Sequence, residues 1–171
     1  MTLVSHRARF IFLKTHKTGS TSVEVALEPL CAPEGAETGR EYRPALVTEA
    51  GIVGARGRVD PEEVWRNHMS ARAVRRLVGR DVWRGYAKIA VVRNPYDRFV
   101  SMFHSRLPPT RRAELAAAPF EEARAAFRAW LPAGARANVL SKIAIGGRLA
   151  LDRVLFFERL EEDFAALAAD L

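Results

Sequence analysis

A hydroxyl-rich segment near the start of the chain carries the clearest chemical signal. Residues 14–22 read KTHKTGSTS and follow the short apolar run FIFL at positions 10–13. This order predicts a buried strand that enters a turn, with a helix beginning inside the turn. Backbone N–H groups and the positive end of the helix dipole would then point at one spot. The segment therefore predicts an anion-binding loop.

The side chains of this loop add further donors. Gly19 lets an anion approach the backbone closely, and Lys17 supplies a mobile positive charge. The loop hydroxyls belong to Thr18, Ser20, Thr21 and Ser22, with Thr15 just before them. An ordinary helix cap needs only one hydroxyl, so the excess favours anion binding over a simple polar turn. The loop is not a Walker A motif, because Lys17 precedes the glycine instead of following it.

A second group of polar residues follows the apolar run at 86–92. Arg93 is predicted to stand where that strand ends, and Ser101 about two turns into the next helix. An arginine and a hydroxyl in these positions can converge on one phosphate. A nucleotide kinase would more often place an acidic metal ligand at this strand end. The alternative is structural, with Arg93 paired to Asp97 and Ser101 packed, and the residues alone leave the two readings open.

His68 is the third candidate, within the segment NHMSA at 67–71. It precedes a helix that Ser70 is predicted to cap, where a side chain can project into a cleft. A histidine suits general-base catalysis because its pKa lies near working pH, so activity should fall as pH drops through the histidine range. Packing against the helix is the alternative role. His104 and His6 are weaker candidates for the base.

The elements that must position these residues alternate between strands and helices. Three apolar runs predict buried strands, at 10–13, 86–92 and 154–157. Helices are predicted after the first strand, from 60, from 70 to 77, from 94, over 119–131 and 136–145, and from 160 to the end. Residues 31–59 are rich in glycine and proline and are expected to be irregular. The alternation predicts a three-layer α/β domain with a central parallel sheet.

Composition narrows the class of protein. The 171 residues suit one domain over 1–171, and 49% of them are hydrophobic, enough for a core. No apolar stretch reaches the roughly 18 residues of a membrane span, and no signal peptide is recognised, so a cytoplasmic protein is expected. Cys31 is the single cysteine, which excludes an internal disulfide.

The net charge of the chain favours anionic partners but does not indicate which kind. The net charge is +7, and four arginines crowd the predicted helix after His68: Arg72, Arg75, Arg76 and Arg80. Such a run is most often a solvated face, although a carboxylated or sulfated substrate would also suit it. No aromatic and basic strand pattern of the RNA-binding kind is present, so no nucleic-acid partner is expected.

Taken together, these segments resemble the sulfotransferases that use 3′-phosphoadenosine 5′-phosphosulfate (PAPS), especially the carbohydrate and small bacterial branch. Residues 17–21 match the loop that binds the 5′-phosphosulfate there, with His16 in place of the usual proline. Arg93 and Ser101 match the 3′-phosphate motif, and His68 matches a histidine that faces the acceptor. The FERLEEDF segment at 157–164 is similar to a late strand–helix segment of the family.

The resemblance implies a P-loop nucleoside-kinase-like fold and sulfuryl transfer from PAPS to an acceptor hydroxyl, with release of 3′-phosphoadenosine 5′-phosphate (PAP). It implies catalytic roles for Lys17 and His68 and no metal ion. The cofactor-binding residues it implies are Lys17, Thr18, Gly19, Ser20, Thr21, Ser22, Arg93 and Ser101. A carbohydrate or a small metabolite with a hydroxyl group, including an anionic one, would be the acceptor. A nucleotide-phosphate kinase, a non-catalytic nucleotide-binding module and a nucleic-acid-binding module are the alternatives.

Overall fold

The structure is a computed structural model that describes residues 1–37, 42–57, 60–134 and 139–171. Its residue contacts form two compact units, one of Met1–Val92 with Asn138–Leu171 and the other of Arg93–Ala137. Among the helices of these described ranges, none is long and apolar enough to cross a membrane.

The first unit contains a six-stranded sheet. Its strands, in sheet order, are β3 (Leu46–Thr48), β4 (Gly51–Val53), β1 (Leu3–Ser5), β2 (Phe10–Phe12), β5 (Ala87–Val92) and β8 (Arg153–Phe156). The last three are parallel, and they correspond to the three predicted strands. The first three pair antiparallel, so the predicted central parallel sheet is present in one half and the other half is antiparallel. Short connections such as residues 6–9 allow only antiparallel neighbours.

Helices cover both faces of this sheet. Side chains alternate along a strand, so β2 sends Phe10 and Phe12 to one face and Ile11 to the other, where Leu13, the residue after β2, is also buried. On the first face α1 (Ser20–Leu27) and α7 (Leu160–Asp170) contribute buried apolar residues. On the second face α2 (Ala71–Gly85) and the short α6 (Leu140–Ile143) do so. The predicted three-layer arrangement is therefore present.

Local capping chemistry decided several boundaries. Ser70 Oγ accepts a hydrogen bond from the Ala73 N–H at 3.2 Å and starts α2, as predicted. Gly79 has a φ of 81°, which ends the first part of α2 where the sequence placed its end. The helix predicted from Asp60 is wrong. Asp60 Oδ1 accepts only from the Glu62 N–H at 2.8 Å, and the chain forms a turn there.

The helix predicted over 136–145 is also largely wrong. Residues 136–138 lie outside the described residues, and α6 occupies only Leu140–Ile143. A small hairpin follows, formed by β6 (Ala144–Ile145) and β7 (Arg148–Leu149).

The second unit is helical. It contains α3 (Pro95–Arg106), α4 (Pro109–Ala117) and α5 (Phe120–Gly134). Phe103 of α3 is buried, and its ring lies 5.5 Å from that of Phe127 and 5.6 Å from that of Trp130. Val100, predicted to belong to the apolar face of α3, is 43% exposed.

Candidate functional site

The turn between β2 and α1 presents backbone donors at the start of the helix. Gly19 is the N-cap with a φ of 74°, and Lys17 also has a positive φ, of 60°. No hydrogen bond joins the N–H groups of residues 18–21 to another described residue, and no side chain caps the helix. Such N–H groups need partners, and the helix dipole adds positive charge beside them. The turn can therefore bind an anion through its backbone.

Two of the loop hydroxyls are used to build the turn. Thr15 Oγ1 lies 2.5 Å from the Val91 carbonyl oxygen, which can only accept, so Thr15 donates there. Thr18 Oγ1, at 2.7 Å from Thr15 Oγ1, must then donate its own proton to Thr15. Ser20 Oγ donates to the Thr15 carbonyl at 2.8 Å. Thr18 and Ser20 are thus left with N–H groups, and not hydroxyl protons, to offer to a ligand.

The two lysines of the segment have different surroundings. Lys14 is buried, and its Nζ lies 2.6 Å from Glu24 Oε2. Lys17 is exposed, and none of the ion pairs found among the described residues includes it. Beside it, Thr21 is half-buried and Ser22 is exposed. Lys17 is therefore the lysine of this segment that can meet a ligand.

A buried ionic cluster lies next to the loop, and sequence reasoning missed it. Glu24 of α1 and Glu28, the residue that follows α1, are fully buried and share Arg56, whose Nη2 lies 2.8 Å from Glu28 Oε1. Glu28 also pairs with Arg43 at 2.7 Å, and Glu24 with Lys14. The sequence offered one signal for this cluster, which is the spacing of the two glutamates at positions 24 and 28. The cluster fixes α1 beneath the loop.

His68 lies beside the loop, although 54 residues separate it from Lys14 in the chain. Its ring stacks on that of His16, with centroids 3.5 Å apart and planes at 19°. Its Nδ1 lies 3.3 Å from the Lys14 carbonyl oxygen, which can only accept, so Nδ1 carries the proton. Nε2 is then the nitrogen with an unshared electron pair, which is the atom a general base needs.

The surroundings of His68 keep its ring neutral. Burial, followed by the charges of His16 and Lys14, lowers the pKa of His68 to about 3. The imidazole is therefore unprotonated throughout the usual working range of pH. The expectation that activity falls through the ordinary histidine range does not hold for a base in this setting, because the proton would be taken up only at much lower pH.

The FERLEEDF segment also reaches the loop. A Cβ atom placed on Gly19 would lie 2.7 Å from Phe157 Cδ2, so only glycine fits against this ring. Phe157 opens a 3-10 turn, Phe157–Arg159, that leads into α7. A groove of about 440 Å³ runs along residues 157–162. The late segment is therefore part of the surroundings of the turn between β2 and α1.

Arg93 and Ser101 belong to the second unit. β5 ends with Val92, and Arg93 is the next residue in the chain. Asn94 Oδ1 accepts from the Tyr96 N–H at 2.9 Å and caps α3, as predicted. Ser101 lies half-buried on this helix. The predicted strand end and capped helix are confirmed, and the ligand of the two residues stays a prediction.

Of the two weaker histidine candidates, His6 is held by Tyr86, with 2.8 Å between Nδ1 and the phenol oxygen. His104 lies half-buried in the second unit, on α3. Among the described residues, no group of three or more histidine, cysteine or acidic side chains could hold a metal ion.

Comparison with known proteins gives one finding. The model of the sulfotransferase family matches residues 1–130, which are 130 of the 171 residues of the chain. The match includes the turn between β2 and α1, His68, Arg93 and Ser101. Neither the curated proteins nor the solved structures give a match.

Proposed function

Because the chain belongs to the sulfotransferase family, we propose that it transfers a sulfuryl group from PAPS to an acceptor hydroxyl and releases PAP. One observation carries this proposal most directly. The segment around Lys17 brings together an exposed cation and four backbone N–H groups that have no partner among the described residues. The same segment contacts the His68 ring through the Lys14 carbonyl, which leaves Nε2 unprotonated. An anion site beside a neutral base suits transfer of a charged group to a hydroxyl.

The turn would hold the 5′-phosphosulfate. Residues 18–21 would donate backbone N–H groups, and Thr21 and Ser22 would add hydroxyls. Gly19 has the left-handed conformation and the lack of a side chain that close approach of a phosphate requires. For the 3′-phosphate we propose Arg93 and Ser101, on the strength of their match to the family motif.

The chemical step would be an in-line displacement at sulfur. The acceptor oxygen forms a bond to sulfur as the bond from sulfur to the 5′-phosphate oxygen breaks, and the electron pair of that bond stays on the phosphate oxygen. Lys17 would stabilise the negative charge that develops there. His68 Nε2 would take the acceptor proton. A base with a pKa of about 3 accepts it late, once bonding to sulfur has made the acceptor oxygen acidic.

The decisive experiment measures transfer directly. The protein is incubated with PAPS and a library of phenols, sugars, sulfated sugars and amines, and mass spectrometry looks for products heavier by one SO₃ group. PAP release should accompany every product, and Lys17→Ala should slow both by roughly 10²–10³-fold. If PAPS is left intact and PAP fails to bind, while ATP with Mg²⁺ is turned over, the kinase alternative replaces this proposal.

A further inference from the structure

Lys142 contacts His68 from a part of the chain that neither the predicted motifs nor the family match includes. It lies on α6, and its Nζ is 2.6 Å from the His68 carbonyl oxygen, across 74 residues of sequence. Ile143, the next residue, is buried in the core beneath α2. The short helix is therefore anchored, and it brings an ammonium group to the backbone of His68.

The backbone of His68 needs such support. Its φ is 54°, in the left-handed region that a residue with a side chain rarely adopts. A conformation of this kind persists only when surrounding contacts fix it, and it is common at functional sites. His68 has three such contacts, with the Lys142 ammonium, the Lys14 carbonyl and the His16 ring.

We propose that Lys142 and His16 are positioning residues that hold the His68 imidazole with its proton on Nδ1 and its electron pair on Nε2. Lys142 fixes the backbone from which the ring projects, and His16 fixes the plane of the ring by stacking. A proline at position 16, usual in the family that the sequence resembles, has no aromatic ring to stack in this way. The inference rests on the proposed role of His68 as the base.

The groups around His68 lower its pKa, so a change in the position of its ring can be followed by titration. The groups that act on it are the amines of Lys14 and Met1 and the ring of His16, with Lys142 on its carbonyl. All are cationic or neutral, and burial acts in the same direction as the cations. If the ring loses its position and becomes more exposed, it should take up a proton more readily.

The test compares variants by imidazole NMR. In the unmodified protein, His68 should show one Nδ1–H tautomer and no titration from about pH 5 to 8. In Lys142→Met and His16→Ala, both tautomers should appear and the titration midpoint should rise toward the ordinary value. Lys142→Arg and His16→Phe, which keep the donor and the ring, should restore a single tautomer.

The matched control is Lys88→Met. Lys88 is also half-buried and donates to a backbone carbonyl, that of Tyr86 at 2.9 Å, but it pairs with Asp152 and not with His68. The Lys88→Met variant should leave the NMR signals of the His68 imidazole unchanged. With an acceptor from the library, Lys142→Met should lower kcat by roughly 10–100-fold while the PAP dissociation constant stays the same.

The inference fails if Lys142→Met and His16→Ala both keep the tautomer and the titration of the unmodified protein. If Lys142→Met does not fold, the exposed His16 allows the same comparison. A shifted tautomer in a protein that never consumes PAPS would uphold the positioning of His68 and refute the proposed function, so the two failures are distinguishable.

Discussion

At the scale of single residues, Lys17 is the cation whose contribution can be isolated most cleanly. Lys17→Ala should reduce kcat by roughly 10²–10³-fold and change PAP affinity much less, because its contact with the leaving oxygen strengthens as charge develops. Alanine also lacks the conformational freedom of glycine, so the strain at φ 60° is kept. Steady-state kinetics and PAP calorimetry make the comparison. A near-normal kcat would remove Lys17 from the mechanism.

His68 should make stability depend on pH. Its pKa is about 3 in the folded protein against an ordinary 6.5, so below 6.5 the unfolded chain binds a proton that the folded protein does not. The contribution to the free energy of unfolding is therefore complete above 6.5 and is lost progressively as pH falls toward about 3. Urea unfolding at a series of pH values should show this loss, and His68→Gln should reduce it. An unchanged pH dependence in His68→Gln would contradict the lowered pKa.

At the scale of the elements, α1 depends on the buried carboxylate of Glu24. Glu24→Ala should lower the free energy of unfolding by about 3–5 kcal/mol, because it leaves buried cations without their partner. Glu114 of α4 is the control, since it pairs with Arg111 at 2.9 Å on the surface. Glu114→Ala should cost about 0–1 kcal/mol. Equal losses in chemical denaturation would mean that the buried cluster does not stabilise α1.

The turn before α1 offers a comparison between two glycines. Gly19→Ala would strain a residue at φ 74° and press a methyl group onto Phe157. Gly35 has a similar φ of 78° with nothing within 4 Å of the added atom. Both alanine variants should lose about 1–2 kcal/mol of stability from the backbone alone. Only Gly19→Ala should also lose PAP binding in calorimetry, and equal PAP affinities would argue against this turn as the phosphate site.

At the scale of the whole molecule, PAP should stabilise the folded protein without added metal. A ligand at one hundred times its dissociation constant adds about 2.7 kcal/mol, which for a chain of this size raises Tm by about 5–10 °C. Thermal scans with and without a chelator test this. Arg93→Ala should reduce the shift given by PAP more than that given by adenosine 5′-phosphate. Equal reductions would contradict the assignment of Arg93 to the 3′-phosphate.

The sequence determined the parts of the fold that local chemistry specifies. Strands buried on both faces read as nearly continuous apolar runs, so β2 and β5 were recognisable. The edge strand β8 carries a shorter apolar run and was recognisable too, although its Phe156 is exposed and not buried as predicted. Ser70 and Asn94 cap helices through their own neighbours, so those helix starts were recognisable too. The three-residue strands β1, β3 and β4 are too short to show a period, and their pairing depends on chain connections. The cap pattern at Asp60 produced only a turn, because local preference does not extend a helix without packing.

In the candidate site, too, the sequence predicted one part and only the tertiary structure decided the other. The residue types and spacing of the loop around Lys17 indicated an anion site, because a glycine, a cation and a helix start act locally. What each side chain can do was decided by contacts across the fold. Glu24 forms an ion pair with the Lys14 amine. Lys142 donates to the His68 carbonyl, and the Lys14 carbonyl places the His68 proton on Nδ1, which leaves Nε2 unprotonated. Burial and long-range neighbours set pKa values and hydrogen-bond roles, and a linear pattern carries neither, so only the tertiary structure could assign them.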